Sequence, residues 1–112
     1  MPNNTTDFAE QIKEGLDEVL GTDQKSLIMG LGVTDPKGVF GTTLGLFDKY
    51  GPKRVIETPT SENAMTGIGV GLAITGYRPI MVHQRLDFFL LAMDQLVNSA
   101  AKWHYMFGGQ QS

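Results

Sequence analysis

Three short apolar runs, at 26–31, 54–58 and 79–82, are each followed by a stretch with helical apolar spacing, and this alternation constrains the chain most. None of the runs alternates apolar with polar, as expected of strands buried on both faces. Strands that alternate with helices pair in parallel through right-handed crossovers. The expected fold class is α/β: a three-layer arrangement in which a short parallel sheet is flanked by helices. At 112 residues the chain is read as a single domain over 1–112. The expected elements are helix 7–20, strand 26–31, helix 42–50, strand 54–58, helix 61–75, strand 79–82 and helix 87–103.

In the first helix Phe8, Ile12, Leu16, Val19 and Leu20 share one face, which predicts a core contact. Asp7 suits the N-cap, Glu10 completes a capping-box pattern, and Gly21 suits the stop. Gly51-Pro52 ends the 42–50 helix, and Gly76 ends the 61–75 helix. In the last helix Phe89, Met93, Leu96, Ala100 and Trp103 step by four and three, with Asp87 as its cap. Phe88, Phe89 and Trp103 are read as core aromatics. Three strands leave two open edges, which calls for cover by another chain. A homo-oligomer, specifically a dimer using the 88–103 surface, is therefore expected.

Nine basic and twelve acidic side chains give a net charge of −3, with no basic footprint for nucleic acid or an anionic membrane. No apolar run approaches the roughly 18 residues of a membrane span. The first residues lack the order of a secretion signal, so a cytoplasmic protein is expected. The absence of cysteine excludes disulfides, thiolate metal sites and a cysteine nucleophile.

Fourteen glycines exceed the roughly eight of ordinary usage. Gly67-Ile68-Gly69-Val70-Gly71 looks like a dinucleotide fingerprint, but it lies inside a helical stretch and Leu72 stands where the third glycine belongs. Close backbone packing is the better reading. His83 and His104 are 21 residues apart without a ligand pattern, so no metal site is assigned. His83 follows the third strand, where open parallel sheets form their ligand crevice, and is a candidate binding residue, although a polar strand-end histidine is the commoner case. Glu62, in the first turn of a helix, is explained more readily by the preference of helix N-termini for negative charge than by function. Arg85 and Asp87 read as a surface ion pair of little worth.

From Val39 to Gly109 the sequence resembles the pyrimidine-binding domain of thiamine-diphosphate enzymes, within the transketolase-like group. It is most similar to the beta subunit of the 2-oxo acid dehydrogenase decarboxylating component, of the pyruvate and branched-chain types. The run Thr58-Pro59-Thr60-Ser61-Glu62, the small-residue helix after it, Met93-Asp94-Gln95 and Asn98-Ser99-Ala100-Ala101-Lys102 carry the resemblance, with Tyr105-Met106 and Gly108-Gly109 beyond.

The resemblance implies a catalytic Glu62 that bonds a ring nitrogen of the cofactor's aminopyrimidine. It implies that Phe88 packs against that ring and that Gln84 occupies a pocket position where relatives often carry methionine. It also implies thiamine diphosphate as cofactor, with magnesium and the diphosphate held through a G-D-G…N motif on an alpha-type partner subunit. No G-D-G occurs here, and Asp35, Asp48 and Asp94 lack the spacing. Two departures stand out. Gly30-Leu31-Gly32-Val33 lacks the acid the family commonly has there, and His83-Gln84-Arg85-Leu86 replaces a largely apolar stretch. The family continues beyond this chain, into further strands, a catalytic histidine and a C-terminal domain.

The expected function is that of a partial beta-type subunit of a thiamine-diphosphate-dependent 2-oxo acid dehydrogenase. It would contribute the aminopyrimidine half of a shared site and would not be catalytic alone. The alternative is a non-catalytic α/β module, without cofactor, acting through self-association or partner binding. A third reading is a small-molecule binding domain using the crevice near Glu62, Gln84 and Phe88.

Overall fold

The computed structural model describes residues 7–111; residues 1–6 and 112, which the expected domain also takes in, lie outside them. Strands β1 (Ser26–Gly30), β2 (Val55–Glu57) and β3 (Arg78–Val82) form a parallel sheet in the order β2-β1-β3. Ile28 pairs with Val55 on one side and with Ile80 on the other. The central strand is buried throughout, as its unbroken apolar run predicts.

Helix α1 (Phe8–Thr22) leads into β1, α2 (Leu46–Tyr50) links β1 to β2, and α3 (Glu62–Ile74) links β2 to β3. The chain leaves β1 toward one edge and then crosses to the other. Two right-handed crossovers in opposite directions put their helices on opposite faces. Strand pleating divides the core accordingly. Ile28 and Val55 pack with Leu20 of α1, Leu46 of α2, Val33 and Val39 on one face. Leu27 and Met29 pack with Met65 of α3 on the other. Ile28 is wholly buried, which contributes about 1.5–3 kcal/mol.

Arg54 ties α1 to the sheet by donating to the carbonyls of Leu20 (2.9 Å), Asp23 (2.8 Å) and Ser26 (2.6 Å). The Leu20 carbonyl lies in the last turn of α1, where carbonyls lack partners within the helix. At the other end of β1, a Cβ on Gly30 would stand 2.2 Å from the Val82 carbonyl oxygen. Only glycine lets β1 and β3 approach this closely.

Asp7 caps α1 by accepting from the Glu10 amide at 2.8 Å, but the helix runs past Gly21 to Thr22. Phe8 and Ile12, expected in the core, are exposed because only the last turns of α1 reach the sheet. There Leu16 and Leu20 face it, while Val19, also expected in the core, stays exposed. The expected 42–50 helix begins only at Leu46, since Gly45 sits at φ 76° and breaks the helical backbone before it. Phe40, at φ 49°, belongs to the same series of turns.

The expected 87–103 helix is not uniform. It comprises α4 (Leu86–Phe89), a 3₁₀ turn (Leu90–Ala92), a π-helical stretch (Gln95–Ala100) and α5 (Trp103–Met106). The Ala101 amide donates to the Leu96 carbonyl at 2.9 Å, the i→i+5 pattern of a π turn. Arg85 holds the N-cap position without a side-chain cap, because Asp87 pairs with Arg85 instead. Phe88 is exposed, and Phe89 and Trp103 are only half-buried, since this stretch packs chiefly on α3 and not on the sheet.

Candidate functional site

At the C-terminal ends of β1 and β3 the chain departs in different directions, which leaves a crevice where open parallel sheets take their ligands. Leu31 and Val82 floor it, and Glu62, His83, Gln84 and Phe88 surround it. The three residues singled out for a ligand, Glu62, Gln84 and Phe88, thus meet at one place although 26 positions separate the first from the last.

Glu62 is the first residue of α3 and is held by the segment before it. The Thr58 amide donates to the Gly30 carbonyl at 3.2 Å, and the Thr58 hydroxyl contacts the Met65 sulfur at 3.3 Å. The Ser61 amide closes a turn onto the Pro59 carbonyl at 2.8 Å. A buried threonine and a proline turn therefore fix the angle at which α3 leaves the sheet. Gln84 donates from Nε2 to the Leu31 carbonyl at 3.2 Å.

His83 stands edge-on to Phe89, with ring centroids 5.2 Å apart. Its Nδ1 is buried and has no hydrogen-bond partner. Burial pushes the His83 pKa below its ordinary value, and the nearby Glu62 charge partly offsets this. Phe88 is 38% exposed, with the Arg85 guanidinium 4.9 Å from its ring centroid. Arg85 also forms a two-point pair with Asp87 at 2.5 and 3.0 Å. The pair is exposed, as the sequence predicts, yet it holds a cation against the aromatic residue of the crevice.

One carboxylate beside the crevice was not anticipated. Glu57, at the end of β2, accepts from the Gly32 amide (2.6 Å) and from the Thr34 amide (3.1 Å) and hydroxyl (2.9 Å). An acid therefore does reach the loop after β1, where Leu31 and Gly32 supply none. It braces the backbone, and no local pattern signals it because its partners lie 23 and 25 residues away.

The sequence matches the family described as transketolase, pyrimidine binding domain, over residues 4–109. The chain belongs to that family. It is 46% identical to the mitochondrial pyruvate dehydrogenase E1 component subunit beta of Dictyostelium discoideum, over 90% of this chain and 28% of that protein. Identity to the Bos taurus mitochondrial subunit is also 46%, over 92% of this chain and 29% of the relative. The subunit beta of Rickettsia bellii is 44% identical, over 90% and 31%. The chain thus spans under a third of the length of these relatives.

Within this pyrimidine-binding domain the glycines of α3 separate by role. A Cβ on Gly69 would meet the Met81 sulfur at 2.6 Å, and one on Gly67 would meet the Gln95 side chain at 3.3 Å, whereas Gly71 faces open space. Two of the three glycines serve close packing, and none takes part in the crevice. A separate cavity of about 260 Å³ lies between α3, β3 and the π stretch, lined by Val70, Ala73, Met81, Leu96 and Trp103 among others. It is far roomier than the crevice at Glu62, but it holds no carboxylate. The chemistry therefore favours the smaller site. His83 and His104 line different cavities. Among the described residues no helix is long and apolar enough to cross a membrane.

Proposed function

We propose that this chain supplies the aminopyrimidine half of a thiamine diphosphate site in a pyruvate dehydrogenase-type E1 component, as its beta-type subunit. The observation that carries the reading is Glu62 at the start of α3, opening onto the crevice beside Phe88 and an unpartnered His83 nitrogen. A carboxyl, an aromatic ring and a free polar atom are the donor set that a flat amino-substituted heterocycle needs, so the residues present fit the group. An alpha-type partner would hold the diphosphate through magnesium.

Thiamine diphosphate, when bound, would supply a carbon nucleophile and an electron sink for decarboxylation of a 2-oxo acid. Glu62, the first residue of α3, would hold a proton at a ring nitrogen, which is the general acid–base work that generates that nucleophile. Phe88 would offer a ring face to the heterocycle. Gln84 gates the crevice, whose free volume of about 10 Å³ holds about one water molecule while its amide bonds Leu31.

The test is reconstitution with an alpha-type E1 subunit and pyruvate. Glu62→Gln is expected to lower cofactor-dependent decarboxylation by about 100-fold or more. Undiminished turnover would remove Glu62 from its role and this reading with it. As for location, the eukaryotic relatives are named mitochondrial, so a cytoplasmic protein is the reading for a bacterial host only.

One observation favours the second reading, a non-catalytic module that self-associates. Leu86, Leu90, Leu91 and Tyr105 are exposed along one stretch, at 76%, 61%, 61% and 90%. Large apolar side chains exposed close together in sequence suit an interaction surface. Sedimentation velocity distinguishes the cases: a dimer that Leu90→Glu and Leu91→Glu dissociate supports self-association, and a monomer at all concentrations dismisses it.

A further inference from the structure

One residue lining the crevice, His83, carries a buried polar atom that the chain's own packing leaves unused and to which the reading above gives no partner. Buried polar atoms in folded proteins are almost always hydrogen-bonded, and an exception calls for an explanation. His83 Nδ1 is such an exception. Glu62, the charged neighbour in the crevice, makes no hydrogen bond to it, and the other neighbours are engaged elsewhere or apolar. Gln84 donates to Leu31, Met65 and Val82 are apolar, and Phe89 meets the imidazole edge-on. Packing against Phe89 fixes the ring, and the end of β3 fixes its backbone, so the orphan atom is positioned in advance.

We infer that His83 is a binding residue of the Glu62 crevice, its Nδ1 hydrogen-bonding the amino-substituted heteroaromatic ring held there. The inference rests on the reading above and adds a contact to it. A desolvated imidazole stays neutral, and a neutral imidazole offers one donor and one acceptor nitrogen. A 4-aminopyrimidine offers the complementary set, an amino donor and ring-nitrogen acceptors. Glu62 engages one ring atom and leaves the others for a second polar group. Since the crevice as it stands holds about one water, a ring must displace a side chain. Gln84, tied by a single 3.2 Å bond to Leu31, is the side chain able to leave.

The probe is 4-amino-2-methylpyrimidine at millimolar concentration, added to the chain carrying ¹⁵N-labelled histidine. His104, whose Nδ1 already pairs with the Gln111 carbonyl, serves as the internal control. The expected result is a saturable movement of the His83 Nδ1 resonance with His104 unmoved. His83→Phe should weaken the probe about five- to tenfold, the worth of one hydrogen bond. His83→Asn, which keeps a polar atom, should recover part of that loss and stands in should the phenylalanine variant fail to fold. Binding that Glu62→Gln abolishes but His83→Phe leaves unchanged, or a stationary His83 resonance, overturns the inference and spares the reading. No saturable binding by the unaltered chain overturns both.

Discussion

The sheet face beneath α1 and α2 buries a continuous cluster of six apolar side chains, whereas the face beneath α3 buries three and leaves a cavity of about 260 Å³. The first face is closed by α1, α2 and the loop after β1, with Arg54 tying the helix end to the strands. The second depends on α3 and on the irregular stretch from Leu86 onward, whose outer side is exposed and apolar. Stability resides mainly in the first face, and the Glu62 crevice is assembled on the second.

Substitutions test that division. Ile28→Ala, in the first face, is expected to cost about 4 kcal/mol in urea unfolding, since the side chain is wholly buried. Gly30→Ala should cost about 3 kcal/mol, because a methyl group 2.2 Å from the Val82 oxygen forces the strands apart. Leu72→Ala, beside the second cluster, should cost only about 1 kcal/mol, because the residue is half-buried. A larger loss there than at Ile28 would reverse the comparison. Gly71→Ala has the opposite sign: with open space at its Cβ, it should stabilise by up to about 1 kcal/mol.

Acid sharpens the same contrast. The folded His83 has its pKa lowered from 6.5 by burial, so the unfolded chain binds that proton more readily. Stability is therefore full above that value and falls as the pH drops through it toward the folded pKa. Asp17, on the first face, has its pKa lowered below 3.8 by hydrogen bonds from Lys49 and Tyr50, so its contribution is lost only at more acidic pH. Melting curves of His83→Phe should lose the slope near neutrality and keep the acid one. An unchanged profile near neutrality would show that His83 stays solvated.

The strands were legible because an unbroken apolar run, as at Leu27–Met29, has few other uses in a chain of this size. The positions 42–45 were not, since the spacing of Leu44, Leu46 and Phe47 suits a helix and the left-handed backbone at Gly45 breaks it. The π stretch was equally hidden, because steps of four and three from Phe89 to Trp103 describe an ordinary helix just as well. In the crevice, Glu62, Gln84 and Phe88 emerged from the resemblance, and their meeting follows from the strand order. The brace from Glu57 and the orphan nitrogen of His83 arise from contacts between distant residues, and no local pattern encodes those.

The π turn at Gln95–Ala100 also bears on how this domain tolerates change in length. Each i→i+5 bond encloses one residue more than an α-helical turn, so the stretch has already absorbed the equivalent of an insertion. Removing a single residue there would restore an ordinary helix and rotate everything after it, Trp103 included, relative to α4. The same deletion in β1 would throw every side chain onto the opposite face. Length variation in this domain should therefore concentrate in the segment that packs on α3, and spare the strand that holds the sheet together.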